Sequence, residues 1–196
     1  GLVAYYPFNG NANDESGNGN DGTLVGSASI AEGSLILDGG GYVQFDKKII
    51  PTSGSFTVSL NAHQTKFDGF SEMISQGQSS DHGFYLGTMD GGGIRLGDDI
   101  TADVHYFPND GNFHSLFFVM NVESQKCLLY IDGDLKIEHN QAIELSESGT
   151  STRIGRQFDS AGPEYFTGQI DDVRIYDRAL SSTEVAALYE LDGPLP

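Results

Sequence analysis

Between Leu2 and Tyr176 the chain is a succession of short alternating apolar runs, such as Phe56-Thr57-Val58-Ser59-Leu60, each broken by Gly, Asn or Asp. An apolar residue at every second position suits a half-buried strand and cannot form the stripe a helix needs. The 26 glycines are scattered without a period, which excludes a collagen-like chain and marks turns. Strands are expected at 2–8, 34–37, 42–45, 55–63, 71–76, 83–89, 101–107, 112–122, 125–131, 153–158 and 170–176. Pro7 puts the first at an edge or a bulge, and Asp132-Gly133 between LLYI and DLKI is the strongest hairpin signal. The one convincing helix comes last, where the capping box Ser181-x-x-Glu184 precedes Val185, Leu188 and Tyr189. The pattern predicts an all-β sandwich of two antiparallel sheets with a short C-terminal helix.

A chain of 196 residues is of a size for one such domain, expected over 1–191 with 192–196 as a tail or linker toward a larger multidomain protein. Ten Lys and Arg against 28 Asp and Glu give a formal charge of −18, a field that repels nucleic acid and anionic membrane. It also disfavours densely charged polysaccharides, unless bound metal or a local basic patch inverts the potential where they dock. A neutral glycan is the easier partner. The lone Cys127 lies in an apolar run and reads as a buried thiol, so cysteine does not settle the compartment. No apolar run reaches the length of a membrane span and no charged-then-apolar leader precedes Gly1, so a soluble, mature or excised segment is expected.

Two stretches are rich in oxygen ligands. The loop 9–22 is so dense in Asn, Asp and Gly that it must hold several turns, and its oxygens suit a hard cation such as calcium. An EF-hand template started at Asp14 puts Gly19 at its sixth position but Val25 at its twelfth, where a bidentate Glu is required, and so fails. The last strand carries Asp171 and Asp172 side by side. Alternation sends one of them toward the face that Val173 and Ile175 fill, where a charge wants a cation.

The segments GLVAYYPFNGNANDESGNGNDGT, LDGGGYVQF, SFTVSL, LLYIDGDL and FTGQIDDVRIYDRALSSTEVAALY together resemble the laminin-G-like domains of the concanavalin A-like lectin and glucanase superfamily. The resemblance spans nearly the whole chain. It implies a jelly-roll sandwich with first and last strands side by side, a calcium ion near their ends, and binding more than chemistry. Carried onto this sequence, it gives Asn9, Asp14, Asp38, Asp171 and Asp172 as candidate metal ligands, with calcium as the cofactor. The chain departs from the family in lacking tryptophan: Asn61 and Phe113 stand where Trp is usual, and Phe113 is expected to fill the same core site.

No E-x-D-x-E alternation of the kind glucanases on this sandwich use is present, so no catalytic residue is assigned. A lyase-like set of Tyr106, His105 and Arg95 is weakened because neighbouring strand residues face opposite ways. The histidines lack the spacing of a zinc site. Recognition on sandwiches falls to end loops or one sheet face. The passage 155–165 mixes Arg, aromatic and Asp residues, which nominates Arg156, Phe158, Asp159 and Tyr165, together with Tyr106, as ligand-binding residues. The reading is a non-catalytic, calcium-stabilised carbohydrate-binding module of a secreted or cell-surface protein. A protein-interaction or spacer domain is the alternative.

Overall fold

The structure, a computed structural model, describes residues 1–78, 81–97, 105–157 and 164–192. Among these residues fourteen strands and one α-helix follow in order, with a single 3-10 turn (Asp90–Gly92) between the eighth and ninth strands: β1 (Leu2–Tyr6), β2 (Thr23–Gly26), β3 (Ser29–Ala31), β4 (Ser34–Asp38), β5 (Gly41–Gln44), β6 (Phe56–Gln64), β7 (Ser71–Gly77), β8 (Phe84–Thr88), β9 (Ile94–Leu96), β10 (His114–Asn121), β11 (Lys126–Ile131), β12 (Asp134–His139), β13 (Thr150–Ile154), β14 (Thr167–Tyr176) and α1 (Ser182–Asp192). They form two antiparallel sheets, ordered β12-β11-β10-β6-β14-β4-β3, with β1 also on β14, and β2-β5-β13-β7-β8-β9. This is a sandwich of the jelly-roll kind. The strand expected at 101–107 falls largely on 101–104, outside the described residues, as does 193–196; Tyr106 makes only an isolated bridge to Gly93.

Alternation does the sorting. Val58, Leu60 and Ala62 of β6 and Leu116, Phe118 and Met120 of β10 point inward, against Ile74, Phe84, Leu86 and Ile154 of the other sheet. At the centre Phe56, Phe84 and Phe118 pack edge-on or tilted with centroids 5.1 to 5.7 Å apart, each ring fully buried and contributing on the order of 2–3 kcal/mol. Cys127 is buried among them, its thiol pushed up to about 11 by burial. Phe113 does not fill a core position: it is partly exposed and lies against His63 at 5.8 Å. The reason is register, since the inward places on β10 begin at Leu116.

The opposite face of the larger sheet carries a second, smaller cluster of Phe117, Val119, Tyr130, Tyr176, Leu180 and Val185, which seats α1. The capping box forms as read, with Ser181 N donating to Glu184 Oε2 at 2.8 Å and Glu184 N to Ser181 Oγ at 3.3 Å. Asp132 and Gly133 turn the β11–β12 hairpin with φ of 52° and 79°, the left-handed pair that a two-residue loop demands.

The last strand is the axis of its sheet. One edge pairs with β6 along its length, while the other pairs with β4 over residues 167–170 and with β1 over 173–176. The partner changes at Asp171 and Asp172. There β14 carries a β-bulge opposite β6: Asp171 pairs with Asn61 and Arg174 with Ser59, leaving two residues against Leu60, and Asp172 takes φ 49°. This corrects the expectation from strict alternation. The extra residue resets the pleat, so Ile170, Val173 and Ile175 all face the core while neither carboxylate is driven into it.

Candidate functional site

The loop 9–22 folds back along β1 as a strap. Asn18 Nδ2 donates to the carbonyls of Leu2 and Val3 at 3.0 Å, Asn20 Nδ2 to Val3 at 2.8 Å, and Glu15 N to Tyr5 at 2.8 Å. Its centre is Asp14, whose Oδ1 accepts from Tyr5 N and Ser16 N and whose Oδ2 accepts from Asn20 N, at 2.9 to 3.0 Å. Burial opposes its charge, but the Ser16 side chain and these N–H groups together outweigh burial and hold the carboxyl below its usual range. Both Asp14 oxygens are therefore engaged by the protein.

Of the other residues read as metal ligands, Asp172 accepts from Tyr5 Oη at 2.6 Å and from Arg174 at 3.3 Å. Asp171, 8% exposed on the face shared with Asn61, accepts among the described residues only the Asp172 N–H at 2.8 Å. Burial and the neighbouring Asp172 charge push it up to about 7. Asn9 lies against the β3–β4 turn, its Oδ1 3.5 Å from where a Cβ on Gly33 would stand. Leu35 pairs with Ile170, so this turn is level with Asp171. Asn9, Asp171 and Asp172 thus border the gap where β14 exchanges β4 for β1, and Asp14 stands behind Tyr5. Asp38 is elsewhere, at the far end of β4, accepting from Ser27 and from Gly40 N. No three His, Cys, Asp or Glu side chains among the described residues are placed to hold one ion. An ion at the gap would therefore draw on amide and carbonyl oxygens as well, as calcium does.

The richer surface is the outer face of the six-stranded sheet. Val43, Ile74, Leu86 and Ile154 face the core, so Tyr42, Ser75, Tyr85, Arg95 and Arg153 face outward. Beside β7 lies the stem of a hairpin: Gly155 N donates to Met73 O, Phe166 N to Gly155 O and Gln157 N to Glu164 O, with Arg156 bridged to Tyr165 and Glu72 to Tyr165. Phe158 and Asp159, read as ligand-binding residues, lie outside the described residues. Arg156 and Tyr165 come together in this stem; Tyr106, 63% exposed beyond β9, stands apart from it.

Three of the five arginines of this acidic chain gather on the face. Arg95 reaches Glu72 at 2.6 Å and Glu164 at 3.0 Å, and lies over the rings of Phe70 and Tyr85 at 4.1 and 4.6 Å. These ties remove Arg95 from the lyase-like set with Tyr106 and His105. Glu72 is fully buried and its Oε2 has no described partner. Burial outweighs Arg95, and the charge of Glu164 adds to burial, pushing Glu72 up to about 8. Arg153 and Arg156 flank the Tyr42 ring at 5.5 and 5.1 Å. Next to them opens a cleft of about 350 Å³ lined by Lys66, Asp68, Phe70, Glu164, Tyr165 and Thr167, with Phe70 52% exposed. Sequence reasoning missed Tyr42, Phe70, Glu72 and Glu164 as parts of this face. The available signal was a charge inside the buried run Ser71-Glu72-Met73-Ile74, which only a partner such as Arg95 explains.

A family model described as the concanavalin A-like lectin/glucanases superfamily matches residues 37–186. The chain belongs to this superfamily. Among solved structures it is similar to domain 4 of AbnA, a GH43 extracellular arabinanase from Geobacillus stearothermophilus in complex with arabinotriose, at TM-score 0.78 and 21% identity over 96% of this chain and 98% of that one. It is also similar to the botulinum neurotoxin serotype G binding domain (TM-score 0.70, 17% identity, 98% of this chain and 51% of that one). The binding domain of botulinum neurotoxin DC, in complex with rat synaptotagmin II, matches at TM-score 0.71 and 15% identity over 97% of this chain and 51% of that one. The chain thus spans about half the length of the toxin binding domains, and at these identities the likeness is one of fold. No curated protein matches it. No helix among the described residues is long and apolar enough to cross a membrane.

Proposed function

We propose that this domain binds a glycan, without cleaving it, on the outer face of its six-stranded sheet and in the adjoining cleft. The carrying observation is the convergence there of Tyr42, Phe70 and Tyr165 with the arginines, next to a cleft of about 350 Å³. Ring faces for stacking and forked donors for hydroxyl groups are what sugars require. Binding without chemistry is supported by Glu164, which gives an oxygen to Arg95 rather than standing free beside the cleft. Calcium at the β14 gap, held by Asn9 and Asp171, is a second part of the proposal; the buried, under-coordinated Asp171 carboxylate supports it. A place outside the cell, within a longer chain, follows from the same reading, as in the extracellular arabinanase whose domain shares this fold.

A glycan array at millimolar calcium tests the proposal, with Tyr165→Ala and Phe70→Ala as variants. Saturable binding to one glycan class that both variants weaken is expected. Silence across neutral and acidic glycans overturns it in favour of a protein-contact module. That second reading has one feature in its favour: a shallow apolar groove along α1, lined by Leu180, Leu188 and Leu191, the last 76% exposed.

A further inference from the structure

Among the described residues, every arginine but one has partners for its N–H groups. Arg95 holds Glu72 and Glu164, Arg174 holds Asp172 and Asp192, and Arg178 holds Glu184. Arg153 donates to Gln44 Oε1 at 2.9 Å and to the Gln157 carbonyl at 3.4 Å. In a chain with 28 acidic residues a cation readily finds a carboxylate. Among the described residues Arg156 has no carboxylate within ion-pair distance, and its guanidinium donates no hydrogen bond to any of them. Its guanidinium carbon instead stands 5.1 Å from the ring centroids of both Tyr42 and Tyr165, in the notch between rings 6.2 Å apart.

The position is held by backbone rather than by charge. The Arg156 carbonyl accepts from the buried Ser75 Oγ at 2.6 Å, and Arg156 bridges to Tyr165 across the hairpin stem. Glu164, the acid next along that stem, is already tied to Arg95 at 3.0 Å and leaves Arg156 uncompensated. A guanidinium steadied by aromatic faces, half-buried and with its planar fork of donors unengaged, matches a carboxylate in shape and charge. Tyr165 also lines the cleft beside Thr167, so a sugar ring lying there would bring its substituents to the fork.

We propose, resting on the glycan-binding reading, that the Arg156–Tyr42–Tyr165 notch recognises a sugar bearing a ring carboxylate, a uronic or sialic acid, within a sparsely charged glycan. The overall charge of −18 still repels a densely anionic polymer, so the site reads one carboxylate in a largely neutral stretch.

The test is calorimetric titration of the intact chain with matched pairs. Methylglucuronosyl-xylotriose, which bears one carboxylate on a neutral oligosaccharide, is compared with its methyl ester, and sialyllactose with lactose, which separates the uronic from the sialic source. The carboxylated member of one pair should bind on the order of tenfold tighter than its neutral twin, the worth of a charge-assisted pair. Arg156→Gln should abolish that preference and Arg156→Lys, which keeps the charge but loses the fork, should remove most of it. Both variants should stay folded with at most a small drop in melting temperature, because Arg156 holds no other described side chain by a hydrogen bond or an ion pair and its contacts to the Tyr42 and Tyr165 rings are each weak. Equal binding of the twins, a preference that survives in Arg156→Gln, or displacement by an acidic hexapeptide as effective as the sugar overturns the inference while leaving glycan binding intact. If neither member of either pair binds and no array glycan does, the glycan reading falls with it.

Discussion

Arg174 and Asp192 meet through two parallel bonds, Nη1 to Oδ2 at 2.7 Å and Nη2 to Oδ1 at 3.0 Å, joining the C-terminal part of β14 to the last residue of α1. The Arg174 guanidinium also lies 4.2 Å from the Tyr5 ring on β1 and 3.3 Å from Asp172. First strand, last strand and helix are thus pinned at one point. Removing one partner of a buried pair leaves a charge stranded, which costs about 3–5 kcal/mol when nothing else compensates it. Asp172 remains beside Arg174, so Asp192→Ala should lower the unfolding free energy by about 2 kcal/mol, read in urea, and should fray α1 in circular dichroism. An unfolding curve superimposed on the parent's would show that the helix is held by Val185 and its apolar seat alone.

Glu72 gives a pH signature of the arginine-bearing outer face. Its folded carboxyl is raised from 4.5 to about 8, so the folded chain binds the proton more tightly than the unfolded one. Stability from this group is therefore full below about pH 4.5 and falls as pH rises through 8. Glu72→Gln mimics the protonated form. The variant should melt at the parent's temperature near pH 5 and above it near pH 9. A difference between the two that does not vary with pH would contradict the assignment, because loss of the Arg95 contact alone has no such dependence.

The bulge at Asp172 makes a prediction about which side chains that position accepts. With φ at 49°, a β-branched residue is strained by about 1–2 kcal/mol, and the bonds from Tyr5 and Arg174 are lost as well. Asp172→Val should therefore destabilise by roughly 3 kcal/mol. Asn, which tolerates the left-handed region and still accepts from Tyr5, should cost about 1 kcal/mol. Equal losses for the two in urea unfolding would mean that the charge, not the backbone, dictates Asp at this position.

The same residue shows where sequence stops being informative. Alternation in Phe56-Thr57-Val58-Ser59-Leu60, the Asp132-Gly133 turn and the Ser181-x-x-Glu184 box each depend on neighbours within a few positions, and each was legible. The Asp171-Asp172 bulge was not, because it arises where β14 changes partner from β4 to β1, strands about 130 and about 170 residues away from it in the chain. The site divides in the same way. Arg156 and Tyr165 stood out within one loop, but Tyr42 and Glu72 reach it only through strand order β5-β13-β7, which no local pattern encodes. The loop around Asp14 was legible as rich in oxygen ligands but not in its partners, because a carboxylate that accepts from N–H groups, as Asp14 does, and one that faces a cation call for the same Asn, Asp and Gly residues.

Asp171 is the residue through which calcium is best tested. Burial and Asp172 raise it from 3.8 to about 7, so without a cation its contribution to stability declines as pH rises from 3.8 through 7. A cation that binds the ionised carboxylate reverses this loss, and binding to the folded state alone raises the melting temperature once free calcium exceeds its dissociation constant. Millimolar calcium should therefore raise the melting temperature over that in chelator, more at pH 8 than at pH 5. Asp171→Asn, freed of the buried charge, should melt at or above the parent's temperature in chelator at pH 8 and should lose the calcium increment. Identical parent melts in calcium and chelator at pH 8 would remove calcium from the reading. An increment that persists unchanged in Asp171→Asn would move the ion to other oxygens and leave Asp171 as a buried acid beside Asn61 that is protonated only below about pH 7.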